Sequence, residues 1–190
     1  MTNLHLLNLF SNYRNYLQTI FPQILGCMIN RELILIVPAN KIKNFLIFLK
    51  NHTHGQYKIL SDLTGADYPD KKNRFEVIYN LLSITYNTRL TVVIYVDEIT
   101  SVDSITSVFK SANWFEREVW DMFGIFFFNN LDLRRILTDY GFKGHPLRKD
   151  FPLTGYIEVR YDDIQKKVIT EKVSLAQDYR EFSFTSNWLQ

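Results

Sequence analysis

From Leu137 to Tyr156 the chain reads LTDYGFKGHPLRKDFPLTGY. Neither the 3.6-residue period of a helix nor the alternation of a strand runs through it. Three of the protein's 7 glycines and two of its 5 prolines fall here, among charges and large aromatic side chains. So long a stretch without secondary structure is uncommon in a compact domain, and such loops are usually functional or disordered. The main core must therefore be built upstream of it.

Upstream, the periodicities are clear. Leu6, Leu9, Phe10, Tyr13, Leu17 and Ile20 recur at three- and four-residue steps and predict an amphipathic helix over residues 4–20, which Pro22 and Gly26 end. ILGCMI and ELILIVP flank Asn30-Arg31 as the arms of a hairpin. Asn40 is placed to cap a helix over KIKNFLIFLKNH. YKILSDLTGADY, RFEVIYNLLSIT and RLTVVIYVDEIT predict three strands, the last two joined by a tight turn at Asn87-Thr88. A short helix is expected over about 103–110. In SANWFEREVWDMFG, Asn113 and Glu116 have the spacing of a capping box, and Gly124 suits the left-handed residue after the helix. The pattern predicts an α+β fold: a two-layer domain with a mixed, largely antiparallel sheet over residues 1–128, followed by a long extended C-terminal arm over 129–190.

Composition excludes several classes. The chain has 190 residues, 46% of them hydrophobic and 15% aromatic, enough for a core and too many for a disordered chain. A net charge of +2 gives no general argument for nucleic-acid or membrane-surface binding. Cys27, the single cysteine, cannot form an intrachain disulfide or supply the four thiolates of an iron–sulfur cluster. The longest apolar runs fall far short of the ~20 residues a membrane helix needs. The opening MTNLHLLNLF lacks the basic and apolar regions of a signal peptide. No GxGxxG or GxxxxGK[ST] pattern is present.

Reactive constellations are sparse. Glu116 and Glu118 point about 200° apart on a helix and cannot share a metal ion. Glu118 and Asp121 are neighbours without a histidine nearby. Arg117 and Asp121 form an i,i+4 pair opposite the apolar arc. Glu116 lies inside that arc beside Trp120 and Phe123 and needs hydrogen bonds or a cation, with Arg134 or Arg135 as the expected source. His145, between Gly144 and Pro146, reads as a hydrogen-bonded loop histidine, and His5, His52 and His54 belong to polar segments. Arg134, Arg135, Lys143, Arg148 and Lys149 interleave with Tyr140, Phe142 and Phe151. That mixture fits a protein interface better than RNA, because Asp132, Asp139 and Asp150 lie among the cations.

EREVWDMFGIFFFNNLDLRRILTDYGFKGHPLRKDFPLTGYIEVRYDD, residues 116–163, resembles the signature region of the 30 kDa subunit of respiratory complex I, the proton-pumping NADH:ubiquinone oxidoreductase. The resemblance extends upstream through DLTGADYP and RFEVIYNLLS and downstream to SNWLQ. One departure stands out: where that family usually has His-Pro before Asp-Leu-Arg-Arg, this chain has Asn130 and Leu131. The resemblance implies a non-catalytic core subunit of the hydrophilic arm, on the matrix face of the mitochondrial inner membrane or the bacterial cytoplasmic face. It implies an α/β domain whose C-terminal extension wraps a 49 kDa partner near the quinone site, in a hetero-oligomer. It implies no flavin, nucleotide or cluster bound by this chain, and no membrane span or nucleic acid. Arg134, Arg135, Tyr140, Phe142, His145, Leu147, Arg148, Lys149, Phe151, Leu153 and Tyr156 become the expected partner interface, with Asn113, Glu116 and Gly124 structural. An RNA-binding, ribosome-associated module is the alternative.

Overall fold

The structure is a computed structural model that describes residues 2–29, 32–177, 180 and 182, with side chains described from Ser11 onward. The chain divides into two compact units, 1–151 and 152–190. The boundary expected after Phe128 thus falls inside the first unit, because the segment beyond it is pinned to the domain by the contacts described below. The expected hairpin turn at Asn30-Arg31, the side chain of His5 and the terminal SNWLQ lie outside the described residues.

The first unit is built on a five-stranded sheet. Its strands are β1 (Leu25–Ile29), β2 (Glu32–Ile36), β3 (Ile59–Asp67), β4 (Phe75–Ser83) and β5 (Thr88–Val96). Their spatial order is β1-β2-β5-β4-β3, antiparallel throughout except for the parallel β2–β5 pair. Alternation decides the faces. Leu33 and Leu35, Val77, Tyr79 and Leu81, and Leu90, Val92, Ile94 and Val96 all enter one apolar core. Helix α1 (Thr2–Ile20) gives that core Leu17, and α2 (Ile42–Asn51) gives it Ile42, Phe45, Leu46 and Leu49. A third helix, α3 (Ala112–Phe123), adds Ala112, Val119, Met122 and Phe123. Two layers result, with the core between helices and sheet.

Several expectations shift. Asn40 does not cap α2. It lies in a 3-10 turn (Ala39–Lys41), and Lys41 at the N-cap makes no side-chain cap bond. The helix expected over 103–110 is absent. Val102–Asp103 forms β6, paired in parallel with β7 (Phe127–Phe128), and the chain then turns. The turn is fixed from outside its own sequence: the Glu116 carboxylate accepts from Ser104 Oγ and Ile105 N, both at 2.8 Å. A local helical pattern loses to that buried anchor.

The second unit contains one hairpin, β8 (Ile157–Asp162) with β9 (Lys167–Lys172). Alternation and register place Ile157, Val159, Tyr161, Val168, Thr170 and Lys172 on one face. The other face carries Glu158, Arg160, Asp162, Lys167, Ile169 and Glu171, and Arg160 bonds both carboxylate oxygens of Glu171 at 2.7 and 3.1 Å.

The core account predicts that Phe45→Ala, at a fully buried ring, lowers unfolding free energy by about 3–5 kcal/mol in a urea titration. Ile84→Ala, at an exposed turn, changes it by less than about 0.5 kcal/mol in the same experiment.

Candidate functional site

The aperiodic stretch is held by the C-terminal end of α3. A helix leaves its last carbonyls without partners. Here the chain returns to fill them. His145 Nδ1 bonds the Asp121 carbonyl at 3.0 Å, Leu147 N donates to the Met122 carbonyl at 3.1 Å, and Arg148 Nε donates to the Phe123 carbonyl at 2.6 Å. A carbonyl only accepts, so His145 carries its proton on Nδ1. The Arg148 cation also sits at the negative end of the helix dipole.

Gly124 makes that approach possible. Its φ of 78° is left-handed, and a Cβ there would meet Arg148 Nη2 and His145 Nε2 at 2.6 Å. The glycine is required by backbone conformation and by space. Gly124 is the left-handed residue that ends α3. Asn113, by contrast, is not the cap: α3 begins at Ala112 after Ser111, and no side chain caps it. Glu116 does not complete a capping box either, because its oxygens are spent on Ser104, Ile105 and Asn130.

Asp121 is the hub. It is fully buried, and its carboxylate accepts from the backbone N–H groups of Ile136, Leu137 and Thr138 at 3.2, 2.9 and 3.0 Å. Thr138 Oγ1 and Arg135 Nη1 each add a bond at 2.8 Å. Burial pushes this carboxyl up, but those bonds outweigh it and hold its pKa down at about 2. Arg135 also donates to the Gly144 carbonyl at 2.9 Å and lies over the Trp120 and Phe142 rings. The expected Arg117–Asp121 pair does not form. Arg117 Nε instead donates to the Arg134 carbonyl at 3.2 Å, and its guanidinium lies over Trp114.

Glu116 receives no arginine. Its third donor is Asn130 Nδ2, at 2.8 Å. Burial raises this carboxyl, and the bonds from Ile105, Ser104 and Asn130 oppose the rise. Asn130 Oδ1 also accepts from Asp132 N at 2.9 Å. The Asn130 amide thus ties α3 to the next turn.

A third buried carboxylate, Asp67, ends β3. Arg74 grips both its oxygens, at 2.6 and 2.9 Å, and Lys149 N donates to it at 2.8 Å. The hydrogen bonds from Arg74 hold the Asp67 carboxyl below the usual range against the opposing effect of burial. Arg148 and Arg74 both stack on Phe75, with guanidinium carbons 5.1 and 5.3 Å from the ring centre.

This geometry sorts the expected interface residues. In the first unit, Arg135, His145 and Arg148 turn inward, the Lys149 backbone is engaged, and Phe142 and Phe151 pack on each other with centroids 5.9 Å apart. Facing solvent are Tyr140, Leu147 and the Arg134 side chain, joined by Leu131 and Leu137, which were not among the expected interface residues. In the second unit, Leu153 and Tyr156 are exposed, as are Ile157, Val159, Tyr161 and Val168 on the apolar hairpin face. His52 bonds the Tyr16 hydroxyl at 3.0 Å and stacks on Phe48. No group of three potential metal ligands occurs among the described residues.

Asp121 also fixes an acid limb. A carboxylate with a depressed folded pKa contributes stability that is complete above its unfolded value, about 4, and is lost as pH falls toward about 2. Asp121→Asn is expected to flatten the dependence of the urea midpoint on pH over that window. A wild-type slope there would show that another group carries it. Arg148→Glu, which loses the helix cap, is expected to lower the melting temperature, whereas Arg134→Glu at an exposed side chain leaves it nearly unchanged.

Comparison with known proteins places the chain in a family. Residues 35–157 match the family described as respiratory-chain NADH dehydrogenase, 30 Kd subunit. The chain is 59% identical over 159 residues to NADH-ubiquinone oxidoreductase subunit 9 of Reclinomonas americana, covering 84% of this chain and 78% of that one. It is 60% identical over 149 residues to the subunit 9 of Prototheca wickerhamii, covering 78% of each. NADH dehydrogenase (ubiquinone) iron-sulfur protein 3 of Solanum tuberosum is 59% identical over 145 residues, 76% of each chain. The aperiodic stretch and the helix that anchors it lie within the matched residues, and the chain belongs to this family: the 30 kDa subunit of respiratory-chain NADH dehydrogenase.

Proposed function

We propose that this chain is a non-catalytic scaffold in the peripheral arm of the proton-pumping NADH:ubiquinone oxidoreductase. It fixes the quinone-proximal subunits, with a 49 kDa-type subunit as its main partner, so that electrons pass from NADH toward ubiquinone across constant distances. Its place is the matrix side of the mitochondrial inner membrane. No described helix is long and apolar enough to cross a bilayer, so attachment runs through other subunits.

The observation that carries this reading is a partial inversion of the usual pattern. The side chains of Asn130, Arg135 and Thr138 and the backbone of Leu137 and Lys149 point inward onto Glu116, Asp121 and Asp67, while Leu131, Leu137, Tyr140 and Leu147 stand in solvent beside the side chains of Asp132 and Arg134. Loops normally expose their polar groups. A loop that spends several of them internally and shows large apolar side chains is built to be covered. Because the backbone is already fixed, docking loses little conformational entropy.

The chain itself binds no redox group in this proposal. Some relatives bear the words iron-sulfur in their names, yet the one thiol here cannot ligate a four-cysteine cluster. The RNA-binding alternative requires cations free to meet phosphates. Arg135 and Arg148 are instead committed to Asp121 and the Phe123 carbonyl.

A chain ending at Phe151 keeps every contact of the first unit described above. It is expected to melt cooperatively near the full-length temperature and to be absent from the assembled enzyme on a native gel. Full incorporation of that shortened chain would refute the scaffold role of residues 152–190. Tyr140→Ala combined with Leu147→Ala is expected to reduce incorporation without lowering the melting temperature of the isolated chain.

A further inference from the structure

Charge is divided unevenly along this chain. Residues 1–61 carry six cations and one acid, Glu32, whereas residues 62–190 carry sixteen cations and nineteen acids. Glu32 alternates along β2 with Leu33 and Leu35, which enter the core, so it lies on the side of the sheet away from the helices. α1 and α2 contain no acidic residue. Segregation on this scale points to an anionic partner.

The cations meet at one place. A cleft of about 510 Å³ opens between the end of α2, the start of β3 and the turn before α3. Lys50, Lys58, Lys110 and Ser111 line it, Ile59 and Phe109 form part of its apolar wall, and no carboxylate borders it. Its volume falls among those of ligand clefts, ~300–1,000 Å³. Lys50 is held in position: Nζ donates to the Val108 carbonyl and lies 5.0 Å from the centre of the Phe109 ring. An ammonium has three donors, so Lys50 keeps donors for a further acceptor. Lys58 and Lys110 are exposed. α3 begins beside the cleft with no acidic residue in its first turn and no side-chain cap, and its positive end adds to the field.

Lysines elsewhere in the chain also lack ion pairs, but acids stand beside them in sequence: Asp70 before Lys71, Asp150 after Lys149, Asp163 near Lys166. The cleft lysines have no such neighbours. Asp62, the acid nearest to Lys58 in sequence, faces the other side of the sheet, in a depression with Arg89 and Thr91. Glu116, the acid nearest to Lys110, is spent on Ser104, Ile105 and Asn130. The concave shape then selects among anions. A flat bilayer surface cannot enter the cleft, and Phe109, the one aromatic ring in its wall, is buried and cannot stack on a base. Carboxylates on the side chains of a protein segment can reach in.

We propose that this cleft receives an acidic segment of another subunit of the oxidoreductase. Its aspartates or glutamates meet Lys50, Lys58 and Lys110, and an apolar side chain rests on Ile59. This rests on the chain being a subunit of that enzyme, but it concerns a surface separate from residues 129–190.

The test uses the purified, assembled enzyme and a water-soluble carbodiimide, which joins a lysine amine to a carboxylate only where the two touch. The expected result is amide crosslinks from Lys58 or Lys110 to aspartates or glutamates within one segment of another subunit, located by mass spectrometry. Acetylation of the same two lysines by an N-hydroxysuccinimide ester is expected to be about tenfold or more slower in the enzyme than in the isolated chain. Equal acetylation rates overturn the proposal alone, whereas absence of the chain from the purified enzyme overturns the subunit reading. Slow acetylation without such crosslinks means a different occupant and overturns the acidic segment. Lys58→Glu with Lys110→Glu is expected to lower the share of chain retained in the enzyme about tenfold at about 0.15 M salt, with circular dichroism of the isolated chain unchanged. Lys58→Arg with Lys110→Arg is expected to keep it. Full retention of the glutamate variant overturns the proposed complement.

Discussion

A carboxylate taken out of water must be matched by donors or lose its charge. Asp121 is matched by five, three of them consecutive backbone N–H groups. Hydrogen bonds to charged groups contribute about 1.5–3 kcal/mol each where they are buried, so few other conformations of 135–138 compete. Much of the adjoining structure takes its position from this one. Arg135 is drawn in, its other nitrogen holds the Gly144 carbonyl, and that sets His145 against the end of α3.

Asp67 and Glu116 repeat the arrangement at other points. Each carboxylate stands on regular secondary structure and collects a different piece of irregular chain: Lys149 for Asp67, residues 104, 105 and 130 for Glu116. The loop segments have little apolar core of their own, so charged hydrogen bonds substitute for it. One effect is directional. Because acceptors lie underneath, the apolar side chains are left on top.

Strands and helices were legible where burial follows one element's own period. β4 and β5 show this: Val77, Tyr79 and Leu81, or Leu90, Val92 and Ile94, alternate in sequence because they alternate in space. The turn at 104–111 was not legible, since its geometry comes from Glu116, distant in sequence from Ser104. Asn113 followed by Glu116 has the capping-box spacing, yet the pattern says nothing about a buried donor elsewhere competing for that carboxylate. Arg135 and Arg148 were read with Arg134 and Lys149 as interface residues because charge ordinarily means exposure, yet these two turn inward. A signal was present in Gly124 followed by GHPLR: a glycine stop and a later histidine and arginine, both donors suited to helix carbonyls. What hid it was the intervening chain, which periodicity treats as featureless. The residues turned outward could not be separated from those turned inward until Asp121 was seen at the centre.

Asn130 shows how an uncharged side chain can fasten a buried carboxylate. Its amide supplies one donor to Glu116 and one acceptor to Asp132 N, the same two roles a suitably oriented neutral imidazole would fill. An imidazole changes charge around neutrality; an amide does not. The fastening behind α3 in this chain therefore has no proton-driven release of its own near neutral pH. Any response to acidity must enter through the carboxyl of Glu116 rather than through its neighbour.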